Sequence, residues 1–324
     1  MSAYRALAPA KVNLGLFVGP RRAGDARHEL VTVMQSISLA DELTLEPAPG
    51  ASDDEVRCPA LPGPQSANLA TAALRAFRSA TGWQAGPLRL TISKRIPIAA
   101  GLGGGSADAA ATLRLLRHAS GLGDDELLGE LAGRLGADVP AQVSPGRWLA
   151  TGAGERLYRL ADPNPPLALV LLPAAEGLET SAVYAQLDRL GAGRTMQALE
   201  QRRHALLDAL DGGAALAGSG ELLDNDLEAA AISLCPAIAD TLAEALRAGA
   251  ERAIVSGSGP TVLAVLAAEG RGRRADAPGG AADGGEGVRI GIPAGLVGRR
   301  PAALGVQTVD GAFARPVSLP GYDP

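Results

Sequence analysis

The chain has 324 residues, 47% of them apolar, and a formal net charge of −5 at pH 7. That length and apolar share suffice for two domains with cores of their own and exclude a wholly disordered chain. The acidic balance argues against nucleic-acid or membrane binding driven by positive charge. Only Cys58 and Cys235 occur, without metal-ligand spacing, and the first residues lack the basic-then-apolar pattern of a signal peptide. A reduced, cytoplasmic protein is expected. The longest clean apolar stretch, residues 165–175, is too short to cross a bilayer and reads as a buried strand.

Along the chain, residues 6–18 alternate around Lys11, Asn13 and Gly15 and read as a strand closed by a polar turn at 20–25. Residues 28–46 continue as strand, with a turn expected at Asp41–Glu42. The pattern predicts a helix over 68–80, with Ser66 as a possible cap and Gly82 as its stop. Residues 88–93 alternate as a strand. Helices follow over 107–120 and from Asp124–Asp125 to Leu135, stopped by Gly121 and Gly136. Pro140 disfavours helix at Val139, so Asp138 is expected on a sharp loop exit. By itself such a carboxylate is as readily a solvated turn former.

A domain boundary is expected in the proline-rich segment 162–166. Beyond it the pattern gives a strand over 167–172, then helices over 181–190, 196–210, 226–234 and 237–247. A strand–turn–strand completes this part: 253–255, the turn Ser256-Gly257-Ser258-Gly259-Pro260, and 261–266. The fold class is α+β in two domains, 1–162 and 163–268, with an active site in the cleft between them. Between Gly270 and Val288 there are seven glycines and no large apolar residue. Such a stretch cannot bury enough to offset its ordering entropy. Residues 269–324 are therefore expected to be a mobile tail, dispensable for catalysis.

The segment with the most chemistry is Ile96-Pro97-Ile98-Ala99-Ala100-Gly101-Leu102-Gly103-Gly104-Gly105-Ser106-Ala107-Asp108. Four glycines in five positions lead into an alanine-rich helix. Backbone without Cβ can approach a ligand closely, and a helix start offers free N–H groups and partial positive charge. Together they make a phosphate cradle, although a glycine-rich turn capping a helix would look the same. No lysine lies in the run, which excludes a Walker-type loop. Ser106 stands where a dinucleotide loop needs its third glycine. Only two of the 30 cationic side chains are lysines, Lys11 and Lys94. Where arginine serves generally, a surviving lysine points to a need for a compact ammonium; for Lys94 chance explains it equally well.

Six motifs stand in order: Ala8-Pro9-Ala10-Lys11-Val12-Asn13-Leu14, His28-Glu29-Leu30, the glycine run, Gly136-Ala137-Asp138-Val139-Pro140, Asn225-Asp226-Leu227-Glu228, and Ser256-Gly257-Ser258-Gly259-Pro260. The pattern resembles the GHMP kinases over residues 8 to about 266. Within them it is most similar to the branch that phosphorylates the 2-hydroxyl of a cytidine-diphosphate-linked methylerythritol, on the non-mevalonate route to isoprenoid precursors. Another kinase of the superfamily, acting on homoserine, mevalonate or a sugar, is the alternative, as is a ligand sensor without turnover.

The resemblance implies ATP and Mg²⁺, a small-molecule substrate, and no nucleic-acid or membrane partner. It implies Asp138 as general base and Lys11 as the ammonium beside the reacting oxygen. ATP would be held by Pro97, Ala99, Ala100, Gly101, Leu102, Gly103, Gly104, Gly105, Ser106 and Ala107, with Asn68 and Lys94 near adenine and ribose. Ser106 would also touch the metal. The substrate would meet Asn13, His28, Asp138, Thr180, Tyr184 and Gly257, with His28 on the cytosine. The chain departs from the family at Arg27, where an aromatic is usual, at Ala107, where a second serine is usual, and in its tail, which replaces a closing helix and strand.

Overall fold

The computed structural model describes residues 2–25, 27–61, 63–174, 177–210, 222–266 and 303–319. Two long strands, β1 (Tyr4–Arg21) and β2 (His28–Pro47), pair antiparallel over nearly their whole length. The far edge of β2 is shared: its first half pairs with β5 (Arg147–Gly152) and its second half with β4 (Leu88–Ser93). β3 (Glu55–Arg57) and β6 (Arg156–Leu160) extend the two arms. The β1–β2 register shifts between Pro9 and Lys11 and again between Asn13 and Gly15. Irregularities of this kind re-aim side chains out of a sheet's alternation, and these flank Lys11 and Asn13.

Helices α1 (Leu69–Thr81), α2 (Gly104–Ser120) and α3 (Asp125–Leu135) cover one face of this sheet. α1 is amphipathic, burying Ala70, Ala73, Leu74 and Phe77 at helical spacing. Its cap is Asn68, whose side chain accepts from the Ala70 N–H at 3.0 Å, and not Ser66. The predicted turn at Asp41–Glu42 is absent: β2 runs straight through it, with Asp41 fully buried. A short helix α4 (Val139–Val143) forms despite Pro140, because proline in a helix's first turn forfeits no hydrogen bond. Asp138 thus sits at a helix start and not on a loop exit.

A second, four-stranded sheet has the order β10 (Leu304–Gln307), β7 (Ala168–Leu172), β9 (Val262–Val265), β8 (Arg252–Val255). Strand alternation gives it two buried faces. Leu169 and Leu171 point into the core shared with the larger sheet, while Val170 and Leu172 point into a second core. That second core is closed by α5 (Thr180–Leu190), α7 (Glu228–Leu234) and α8 (Ala237–Arg247). α6 (Met196–Leu210) packs against β1 and β2.

The loosely attached tail expected at 269–324 is overturned for its last described part. Residues 303–319 supply β10 as an edge of the smaller sheet, and β11 (Val317–Ser318) pairs with the start of β1. Gln307 N–H donates to Ser38 Oγ and Val309 N–H to the Ser36 carbonyl, so this segment ties both sheets together. The glycine-rich stretch at 270–288 lies outside the described residues.

Candidate active site

The glycine run becomes a tight loop capped onto α2. Gly101 and Gly103 both take left-handed φ, +73° and +68°. A Cβ on Gly101 would lie 2.6 Å from the Gly259 carbonyl oxygen, so the loop abuts the Ser256–Pro260 turn backbone to backbone. Thr261 Oγ1 donates to the Ala100 carbonyl at 2.7 Å, and the Lys11 N–H to the Leu102 carbonyl at 3.0 Å. These bonds hold the loop between β1 and β9. The first helical bond of α2 runs from Ala107 N–H to Gly103 O, leaving the N–H groups of Gly104, Gly105 and Ser106 without a helical partner. The start of α2 thus offers three backbone donors.

One cavity of about 880 Å³ opens beside the loop. It is lined by Lys11, Asn13, His28 and Asp138 from the larger-sheet domain and by Thr180, Tyr184 and Gly257 from the smaller. Gly101, Gly103 and Ser106 reach it from the loop. Lys11 Nζ sits 2.9 Å from Asn13 Oδ1 and 3.3 Å from Asp138 Oδ2. Asn13 in turn donates to Thr32 Oγ1 at 2.8 Å, and Thr32 to the Gly15 carbonyl at 2.7 Å. This chain of bonds fixes the Asn13 oxygen toward the ammonium. The Lys11 side chain is 11% exposed and Asp138 37%, so the carboxylate faces the cavity while the ammonium stays behind it.

His28 also lines the cavity, its Nε2 2.8 Å from Asp188 Oδ1. Tyr184 stacks on its ring at 5.3 Å and 27°. Burial pushes the Tyr184 hydroxyl up to about 12, with the Asp138 charge adding to the effect, so it stays neutral. Thr180 and Ser258 share a hydrogen bond of 2.9 Å beside Gly257. Asn225 props this turn from behind, donating to the Val255 and Gly257 carbonyls at 2.7 Å each.

Two residues expected near a nucleotide do something else. Lys94 is buried, its ammonium 2.5 Å from Asp41 and 2.8 Å from Asp108. Asp41 also accepts from the Arg95 and Ile96 N–H groups. This triad lies beneath the loop: a Cβ on Gly104 would come within 3.2 Å of Lys94 Nζ. Asn68 is committed to capping α1. Neither lines the cavity, and nor do Pro97, Ala99, Ala100, Leu102, Gly104, Gly105 or Ala107. The Ala107 and Leu102 side chains are buried in the core. Asp41, Asp108 and Asp188 were missed from sequence, although an aspartate inside an apolar strand is a detectable signal for Asp41.

A glycine cradle, a lysine–aspartate pair and a two-domain cavity define a small-molecule kinase. Residues 68–146 match the GHMP kinases N terminal domain and residues 195–275 the GHMP kinases C terminal domain. The chain belongs to the GHMP kinases and is an ATP-dependent small-molecule kinase. It is 42% identical to the 4-diphosphocytidyl-2-C-methyl-D-erythritol kinase of Leifsonia xyli, over 83% of this chain and 89% of that one. The enzyme of that name from Streptomyces coelicolor is 42% identical, over 81% and 87%. A crystal structure of 4-(cytidine 5'-diphospho)-2C-methyl-D-erythritol kinase superposes with a TM-score of 0.64 at 35% identity, covering 81% of this chain and 89% of that one. A homoserine kinase from Cytophaga hutchinsonii, at 17% identity and TM-score 0.65 over 98% of each chain, shares the fold.

Proposed function

We propose that this protein transfers the γ-phosphoryl group of ATP to the 2-hydroxyl of 4-diphosphocytidyl-2-C-methyl-D-erythritol, in the cytoplasm, toward isoprenoid precursors. The observation that carries the chemistry is the Lys11–Asp138 pair at the mouth of the glycine loop. An alcohol is a weak nucleophile, and Asp138 has one oxygen beside Lys11 and an open side toward the cavity. It accepts the hydroxyl proton as the alcohol oxygen bonds to the γ-phosphorus and the bond to the β–γ bridging oxygen breaks. Lys11 stabilises the negative charge that develops on the attacking oxygen, and Asn13 keeps the ammonium aimed there. The free N–H groups of Gly104, Gly105 and Ser106 receive phosphate oxygens.

Among the described residues no group of three or more His, Cys, Asp or Glu is assembled to hold a metal ion. Ser106, which lines the cavity at the start of α2, would stand beside a Mg²⁺ ion brought in with the nucleotide. When bound, the ion neutralises charge on the β- and γ-phosphates. His28 and Tyr184 take the cytosine end, with Thr180 and Gly257 along the substrate between the two ends.

The test is ADP release with ATP and Mg²⁺, offering the cytidine-diphosphate substrate beside homoserine, mevalonate and galactose. Turnover confined to the first is the expected result. Turnover with another acceptor alone, or with none, would reject the assignment.

A further inference from the structure

Asp188 sits on α5 and lines the cavity beside His28. Its Oδ1 lies 2.8 Å from His28 Nε2, and its Oδ2 lies 3.7 Å from Arg21 Nη1. A carboxylate only accepts, so the proton on this contact belongs to Nε2. A neutral imidazole with its proton on Nε2 keeps a lone pair on Nδ1. Among the described residues nothing hydrogen-bonds Nδ1, and that atom is not sealed away from the cavity. The His28 side chain is 6% exposed and stacked under Tyr184, so the ring cannot turn over without breaking that packing.

We infer that Asp188 is a positioning residue that sets the tautomer of His28, making Nδ1 an acceptor that selects a pyrimidine bearing an amino group. This rests on the proposed substrate, whose base is cytosine. Cytosine has a single N–H donor on its pairing edge, the 4-amino group, and that is what an acceptor Nδ1 would take. Uracil carries a carbonyl oxygen at the same position. Its lone pairs would face the Nδ1 lone pair with no proton between them, leaving two buried acceptors unsatisfied.

The arrangement around Asp188 makes Asp188→Asn a directed test. The variant has one oxygen where aspartate has two. Arg21 has only donors and draws that oxygen, which leaves the amide N–H₂ facing His28 Nε2. The ring proton then moves to Nδ1, and the pocket offers a donor in place of an acceptor. With the cytidine-diphosphate substrate, kcat/KM falls roughly 10- to 100-fold, the scale of one mismatched buried polar contact. The loss appears in KM, while the uridine-diphosphate analogue loses little or gains. KM for ATP is expected to stay put.

An equal loss for both bases, or a KM for ATP that rises in step, would mark a structural role and overturn the inference. A second readout needs no turnover. The chain has three histidines, His28, His118 and His204, so the ¹⁵N resonances of His28 can be assigned by its replacement with Gln. At pH 8 the wild-type ring is expected as the Nε2–H tautomer and the Asp188→Asn ring as Nδ1–H; a wild-type Nδ1–H ring overturns the inference. Absence of turnover of the cytidine substrate by the wild type is a failure of the substrate assignment. Turnover with undiminished base preference in Asp188→Asn is a failure of this inference alone.

Discussion

Lys11 and Asp138 lie far apart in the chain, on β1 and at the start of α4, and meet where β1 is irregular and α4 packs against it. The pairing leaves the carboxylate with an open oxygen and the ammonium with a second anchor on Asn13. Replacing the base while keeping its shape isolates its chemistry. Asp138→Asn is expected to leave ATP affinity near normal and to lower turnover by roughly 10²- to 10⁴-fold. Single-turnover kinetics beside a nucleotide-binding titration measure both, and near-normal turnover would remove Asp138 from the mechanism.

At the scale of elements, the glycine loop is held between two supports. Its outer side abuts the Ser256–Pro260 turn, where backbone meets backbone at Gly101. Gly101→Ala therefore combines a left-handed φ with a collision that no side chain can relieve. It is expected to cost about 2 kcal/mol or more in urea unfolding and to raise KM for ATP. Its underside rests on the Lys94–Asp41–Asp108 triad. Burial holds the Asp108 carboxyl up to about 7, above its ordinary 3.8, against the opposing pull of Lys94. Between pH 4 and 7 the folded protein keeps a proton there that the unfolded chain has lost. The stability this group contributes is therefore complete below about pH 4 and falls as pH rises through 7. Measured across that window, the stability of the wild type minus that of Asp108→Asn is expected to fall as the pH rises. A pH-independent difference would show that the group does not titrate there.

For the molecule as a whole, the last described segment decides whether the two sheets close. β10 lies at the edge of the smaller sheet, and its Val306 is buried in the shared core opposite Leu169. The same segment bonds to β2 through Ser36 and Ser38 and to β1 through β11. Val306→Asp places an unpaired carboxylate in that core and is expected to cost about 3 kcal/mol or more. A urea midpoint unchanged by Val306→Asp would mean that the segment is peripheral. For the same reason, a chain ended at Glu269 is expected to be unstable and not merely shortened.

The local patterns were legible from sequence because they rest on neighbours. Helix periodicity marked α6 and α8 to the residue, and the glycine run marked a tight loop into α2 through conformational freedom that only glycine has. The resemblance carried by six short motifs extended this to the GHMP kinases, and several of the residues it singles out, Lys11, Asn13, His28 and Asp138 among them, line the cavity. What stayed hidden depended on groups far apart in the chain. Asp41 reads as a turn former until Lys94 and two N–H groups bury it, and Lys94 reads as a nucleotide contact until Asp41 and Asp108 claim it. Asp188 has no motif at all; its meaning comes from His28, 160 positions away. The tail looked too poor in apolar residues to fold, and one short strand was enough because an edge already waited on β7. The sequence by itself determined which backbone is free enough for the glycine loop and which residue types are available to carry charge. Only the tertiary structure decided which charges face one another, because burial and distance set the strength of an electrostatic contact and neither is a property of a single residue.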